Sequence, residues 1–434
     1  MKAPLVLLAF MASTALAGSH SRAARPGVVV PPSAVDNNMS CDIGTYPAAT
    51  LLLPYFQVET SRHVNDAQNT IFSIVNTSRT PQIARVTIWT DYGYPAFWFN
   101  IFLTGFDMQS ISLYDVIANG TIPQTSSATA PGARSKPNDA NPNIVSMTDC
   151  DVLGGPLPES ARASLTAMLT TGTSEASCRL GAEHASIATG YVTVDVVSTC
   201  ANISPLDPAY YAGVLLFDNV LTGDWERIAP ARDLGNYAGG NPMVHIRAIP
   251  EGGAAGSVVN DGLPHTFYDR FTPANLRRVD RRQPLPSRFA ARYIEGGTGS
   301  FRTDFSIWRE AHTSSATGCV NANAAIPYMS IVRYDEYENP TIGSESQVLP
   351  VAVSAATSSS TFPPRGGFSV SGWIFLDLDN HAGVGASSPY SSPRASQNWV
   401  TIHMRAEGRF GVDYDATALG NGCATPQAGG GVTK

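Results

Sequence analysis

The sequence predicts an all-β protein made of two tandem immunoglobulin-like antiparallel β-sandwiches, the first of them enlarged by a long loop and one short helix. Three observations lead to this prediction. Short apolar segments rich in β-branched residues alternate with turn formers, helices are missing between most of them, and their order recurs in the second half of the chain. Parallel sheets need helical crossovers, so we expect antiparallel sheets.

The clearest run of predicted strands extends from Thr70 to Leu113. Its first strand is Ile71–Val75, which turn formers from residue 76 to residue 81 bring to an end. The next strand begins at Ile83 and shows a period of two, which predicts one buried face and one face in water. The apolar set and the polar set of this strand are Ala84, Val86 and Ile88, and Arg85 and Thr87. Two further strands, Phe97–Leu103 and Met108–Leu113, complete the run.

Further elements follow a low-complexity loop at residues 118–146. Pro158–Leu169 is the predicted helix, because its apolar residues share one face and Pro158 suits a first turn. Gly190–Val197 is a predicted strand with three valines inward, at 192, 194 and 196. Gly213–Ile228 predicts a hairpin that turns at Thr222-Gly223-Asp224, and Met243–Ile249 predicts another strand.

The order of predicted strands in the first half recurs beyond residue 286. FAARYI corresponds to LLLPYF, FSIW corresponds to FSIV, and GWIFLDLD corresponds to GYVTVDVV. The predicted organisation is a first sandwich at 43–250, an Arg-rich linker at 251–285, a second sandwich at 286–423 and a disordered tail at 424–434.

The N-terminus predicts export. Residues 1–17 have a charged start, an apolar segment and an Ala-Leu-Ala cleavage site, as a cleaved signal peptide does, and residues 18–42 resemble a flexible leader. We therefore expect a secreted or cell-surface protein without membrane insertion. The formal net charge of -7 gives no positive field that would attract nucleic acid.

Cysteine usage agrees with export, since six cysteines without a CxxC motif favour disulfides over a metal or redox site. The domain boundaries reduce the possible pairings. We expect three disulfides, which are Cys319–Cys423, Cys150–Cys178 and Cys41–Cys200.

Several segments together resemble an uncharacterised group of exported bacterial β-sandwich proteins. They include LLLPYF, FSIVNTS, GYVTVDVV, LLFDNVLTGDW and DRRQPLPSRFAARYI. The resemblance implies export and carries over no catalytic residue, ligand or cofactor.

One predicted strand carries the most suggestive chemistry. Alternation places Trp373, Phe375, Asp377 and Asp379 on one face, and Asn380 extends a DxDN cluster. Aromatic faces stack on sugar rings, and carboxylates accept sugar hydroxyls or bind Ca²⁺. The competing interpretation is an ordinary strand with packed aromatic residues and solvated aspartates. No cofactor is expected, and calcium is the one ion this cluster could take.

An arginine cluster is the second candidate. Arg277, Arg278, Arg281 and Arg282 could hold a phosphate, a sulfate or an anionic glycan. The competing interpretation is that these arginines pair with acids of both sandwiches and set the angle between them.

The sequence lacks GxSxG, HExxH, P-loop and GxGxxG motifs, which lowers the expectation of an enzyme. We expect an exported non-catalytic binding or structural protein that acts in adhesion or assembly, with other surface proteins or glycans as partners. The alternative is a carbohydrate-binding module or a glycoside-active enzyme that uses the Trp373/Asp377/Asp379 face. The ligand and the oligomeric state are left open.

Overall fold

The structure is a computed structural model that describes fifteen stretches of the chain. These are residues 43–124, 141–144, 154–173, 179–229, 237–249, 251–252, 280–296, 300–309, 325–327, 330–342, 348–350, 353–357, 370–378, 397–406 and 410–419. The predicted signal peptide, leader and tail lie outside them, and so do all cysteines except Cys200. Cys200 is buried and disulfide-bonded, and the three pairings stay predictions.

The first half of the chain contains eleven described strands and two α-helices. They are β1 Thr50–Glu59, β2 Asn69–Asn76, β3 Gln82–Thr90, β4 Pro95–Leu103, β5 Met108–Ser112, α1 Leu113–Ile117, β6 Thr121–Ile122, β7 Gly155–Pro156, α2 Glu159–Thr170, β8 Ile187–Val197, β9 Leu221–Ala229, β10 Tyr237–Pro242 and β11 Val244–Ile246. A single π-helical turn, Tyr210–Val214, precedes β9.

The described strands of the second half run from residue 288 to residue 418. They are β12 Arg288–Glu295, β13 Phe301–Arg309, β14 Ala325–Pro327, β15 Ser330–Asp335, β16 Pro340–Ile342, β17 Val348–Pro350, β18 Val353–Thr357, β19 Val370–Asp377, β20 Asn398–Ala406, β21 Phe410–Asp415 and β22 Thr417–Ala418.

These strands form four principal antiparallel sheets, so the all-β prediction is confirmed. Sheet 1 has the order β11-β1-β8-β3-β4, and sheet 2 has the order β10-β9-β2-β5. Sheet 3 has the order β16-β15-β19-β12-β22, and sheet 4 has the order β18-β13-β20-β21. Read in reverse, sheet 3 matches sheet 1 strand for strand, and sheet 4 matches sheet 2. The immunoglobulin-like tandem assignment and the domain boundaries stay predictions.

The sheets of the first half enclose one core. Its largest members come from both sheets and include Phe56, Val86, Val194, Phe72 and Trp225. The inward placement of the three β8 valines is confirmed, since each is fully buried. The helix prediction is also confirmed, because α2 begins at Glu159 after the N-cap residue Pro158.

The prediction that one face of β3 is exposed to water is wrong. Arg85 and Thr87 are fully buried, because the segment that follows β8 covers this side of sheet 1. The Arg85 guanidinium donates to the carbonyl of Ile203 at 2.8 Å and lies 5.4 Å from the ring centre of Tyr210. The cover comes from residues more than 100 positions away, which local alternation cannot reveal.

The predicted hairpin at Gly213–Ile228 is also wrong. Thr222, Gly223 and Asp224 lie inside β9, and β9 pairs with β10 to make the hairpin. A Cβ on Gly223 would lie 2.6 Å from the backbone oxygen of Ser73. This glycine therefore permits close approach of β9 to β2 rather than a turn.

A second hydrophobic cluster joins the two halves. It includes Leu52, Tyr55 and Tyr191 from the outer face of sheet 1, and it continues through Trp308 into the core between sheets 3 and 4. Tyr191 and Trp308 meet edge to face, with ring centres 5.8 Å apart. The described end of the predicted linker adds to this contact, since Arg282 forms a β-bridge with Ala248.

Because this cluster is continuous, we expect Trp308→Ala to lower the free energy of unfolding by about 3–5 kcal/mol. Both halves should lose stability in one transition, measured by urea unfolding with hydrogen exchange on peptides from each half. Tyr337→Ala is the matched control, since Tyr337 is 84% exposed. Destabilisation confined to the second half would show that the halves fold independently.

Candidate functional site

The outer face of sheet 3 is the main candidate site. On β19, Ile374 and Leu376 point into the core, whereas Trp373 is 43% exposed. Three rows of residues cross the face, one residue each from β15, β19 and β12. They are Tyr334–Trp373–Arg292, Val332–Phe375–Ala290 and Ser330–Asp377–Arg288.

Aromatic rings form the centre of this face. The rings of Tyr334 and Trp373 are stacked, with centres 4.4 Å apart and planes 12° from parallel, and Phe375 lies edge-on to Trp373 at 6.4 Å. Gly372 makes the stack possible, because a Cβ there would lie 1.9 Å from the carbonyl oxygen of Tyr334. The two strands therefore approach closely beside the ring pair.

A charged pair lies at the opposite end of the face. The Arg288 guanidinium contacts the Asp377 carboxylate at 3.1 Å. The structure thus brings together Trp373, Phe375 and Asp377, as the sequence predicted, whereas Asp379 and Asn380 lie outside the described residues.

The same face in the first half is buried. Trp89 on β3 and Tyr191 on β8 pair in the same register and stack at 5.6 Å with planes 2° apart, yet both are fully buried. Gly190 has the role of Gly372, since its Cβ would lie 2.0 Å from the carbonyl oxygen of Trp89. One face therefore occurs twice, covered in the first half and open in the second.

The described part of the arginine cluster is in the interior. Arg281 and Arg282 are both fully buried. Arg282 contacts Asp280 at 2.8 Å and Asp195 at 3.2 Å, and Arg281 lies 4.5 Å from the ring centre of Phe217. Arg282 thus pairs with one acid of sheet 1 and one acid of the predicted linker. The role of these arginines in setting the angle between the sandwiches stays a prediction. Arg277 and Arg278 lie outside the described residues, so anion binding there stays a prediction.

Asp195 explains why a buried arginine is needed. Burial raises the pKa of this carboxyl, and Arg282 opposes the shift. Thr50 and Tyr210 also donate hydroxyl hydrogen bonds to the carboxylate, each at 2.7 Å. Arg282 therefore ties the end of the predicted linker to sheet 1.

Sequence reasoning missed a Ser–His–Asp relay between the halves. The Ser306 hydroxyl lies 2.5 Å from His403 Nε2, and His403 Nδ1 contacts the Asp413 carboxylate. Burial lowers the pKa of His403, Asp413 raises it, and Arg227 lowers it further. A neutral imidazole can donate from Nδ1 to Asp413 and accept from Ser306, which is the pattern of acyl-transfer triads.

This relay is closed to substrates. Ser306 is 2% exposed and His403 is 7% exposed, beneath Tyr55 and Arg227 of the first half. The Arg227 guanidinium also donates two hydrogen bonds to the Asp413 carboxylate, at 3.1 and 3.2 Å. A substrate carbonyl could reach the serine only if the halves separated, so the relay is part of the contact between them. The signal was undetectable in sequence, because three strands supply its residues without a local motif.

A small cavity lies beside this contact. Its volume is about 350 Å³, and its walls include Met243, Trp399 and Asp415. Burial raises the pKa of Asp415 to about 6, and Trp399 and Thr401 oppose the shift.

The described residues offer no group of three or more His, Cys, Asp or Glu side chains arranged to hold a metal ion. None of the described helices is long and apolar enough to cross a membrane. Comparison of the chain with protein-family models, with curated proteins and with solved structures found no match in any of the three.

Removing the Arg227 hydrogen bonds to Asp413 should lower the stability of the protein strongly. Arg227→Ala leaves a buried carboxylate without this partner, so we expect the free energy of unfolding to fall by about 3–5 kcal/mol. The control is Arg179→Ala, which removes an exposed ion pair with Glu183 and should cost about 0–1 kcal/mol. Denaturant unfolding of both variants measures the difference in the free energy of unfolding. Equal decreases would show that the buried Arg227–Asp413 pair is no stronger than a surface pair.

Proposed function

We propose that this protein is an exported, non-catalytic structural protein that acts in assembly or adhesion, and that the outer face of sheet 3 is where it docks a protein partner. The observation that carries the proposal is that the same kind of sheet face is buried in the first half and exposed in the second. Trp89 and Tyr191 are buried beneath protein in the first half, whereas Tyr334 and Trp373 are open in the second. Exposed aromatic groups of this kind mark interaction sites.

The proposal includes a tandem origin for the two halves. We infer two copies of one immunoglobulin-like sandwich plan, supported by the matching strand orders of sheets 1 and 3 and of sheets 2 and 4. The pairing of β1 with β8, and not with β2, departs from the immunoglobulin order.

The docking function predicts a protein contact at position 373. The photo-crosslinking amino acid p-benzoylphenylalanine replaces Trp373 in the full chain, in the cells that naturally produce the protein. Irradiation should give a covalent adduct with a protein, identified by mass spectrometry of the linked peptides. The same replacement at Tyr46, which is 66% exposed in the first half, is the control. If position 373 gives no more protein adduct than position 46, the docking function is wrong.

Carbohydrate binding is the second candidate, favoured by the open Tyr334–Trp373 stack and by the charged groups of Arg288 and Asp377 beside it. A sugar ring could stack on the indole while the charged groups accept and donate hydrogen bonds to hydroxyls.

The second candidate predicts that Trp373→Ala weakens binding to a soluble polysaccharide at least about tenfold, which corresponds to 1.4 kcal/mol. Affinity electrophoresis against glucans, xylan, galactan and chitin oligomers measures the effect, with Tyr46→Ala as control. Equal mobility shifts for both variants would exclude this face as the glycan site.

A further inference from the structure

The contact inside the chain joins two particular faces. The outer face of sheet 1 supplies Tyr191 and Tyr55, and the outer face of sheet 4 supplies Trp308 and His403. Beside this contact, β10 of sheet 2 also lies against β21 of sheet 4. The outer faces of sheet 3 and sheet 2 carry exposed side chains outside the contact, and we call them the two end faces.

These end faces correspond to the two sides of the internal contact. Sheet 3 has the strand order of sheet 1, and sheet 2 has the strand order of sheet 4. We propose that two copies of this chain associate head to tail, with sheet 3 of one copy packing on sheet 2 of the next as sheet 1 packs on sheet 4. This inference rests on the docking function proposed above and names its partner.

Register identifies the side chains that would meet. Arg292 pairs across from Trp373, so it holds the place that Tyr55 has beside Tyr191. FSIV at 72–75 corresponds to FSIW at 305–308, which gives Glu226 the place of His403. Tyr55 meets His403 inside the chain at 5.5 Å. Between copies, Arg292 would therefore meet Glu226.

The remaining side chains of the two end faces are also complementary. Trp373 would meet Val75, which holds the place of Trp308, so an aromatic ring would cover an aliphatic group. Sheet 3 presents Arg288 and Arg292 as exposed cations, and sheet 2 presents Asp224 and Glu226 as exposed acids. Opposite charges on the two end faces favour this pairing and disfavour contacts between like faces.

The contact would be heterologous, because two different faces of the chain meet. Each association leaves one free face at either end, so growth continues unless the rotation between copies closes a ring. We therefore expect a concentration-dependent series of oligomers, and not a single dimer.

Charge reversal tests the inference on the full mature chain by sedimentation velocity at low salt. Arg292→Glu and Glu226→Arg should each weaken association more than about tenfold, since each places like charges together. A 1:1 mixture of the two variants, or both changes in one chain, should restore it. Arg179→Glu, which reverses an exposed charge away from the end faces, should associate as the wild type does. Circular dichroism checks that the exposed substitutions leave the fold intact.

The outcomes separate the two proposals. A monomer at all concentrations, or association that ignores both reversals, overturns the head-to-tail inference. If position 373 then still crosslinks to another protein in cells, the docking function stands with a different partner. If position 373 crosslinks to no protein, both proposals fall.

Discussion

The buried contact between sheet 1 and sheet 4 is the constraint on which the rest of the molecule depends. Two carboxylates, Asp195 and Asp413, lie within it almost without exposure, and removing such a group from water costs several kcal/mol. Arg282 and Arg227 compensate them, each from a part of the chain distant in sequence. Separating the halves would expose apolar surface and break the Arg227–Asp413 pair. The contact therefore orients the sandwiches as well as joining them.

The same contact closes the Ser–His–Asp relay to substrates. A triad needs an open side where a substrate meets the serine, and a carboxylate that stabilises the imidazolium. Here Tyr55 covers the imidazole, and Arg227 shares the carboxylate of Asp413. The relay instead satisfies polar groups that the packing of two sheet faces would otherwise leave without partners.

Sequence patterns predicted the secondary-structure elements better than the segments that pack against those elements. The valines of β8 and the helix around Pro158–Leu169 are local signals, and the structure has both features where they were expected. The burial of Arg85 depends on a segment more than 100 residues away, and Gly223 is needed for a close approach that looks like a turn in sequence. The Trp373 face was predictable because alternation within one strand defines it. Its significance was not, since that depends on the buried equivalent in the other half.

The differences between the two versions of this face follow from where each one lies. Inside the chain, Tyr55 meets His403, and burial lowers the pKa of this histidine. On the two end faces, Arg292 and Glu226 occupy the corresponding places, and both side chains are exposed. In the head-to-tail association proposed above, charges at these positions would select a partner face of the opposite sign. The proposed docking requires the end faces to exist both free and docked, whereas the internal contact is permanently covered.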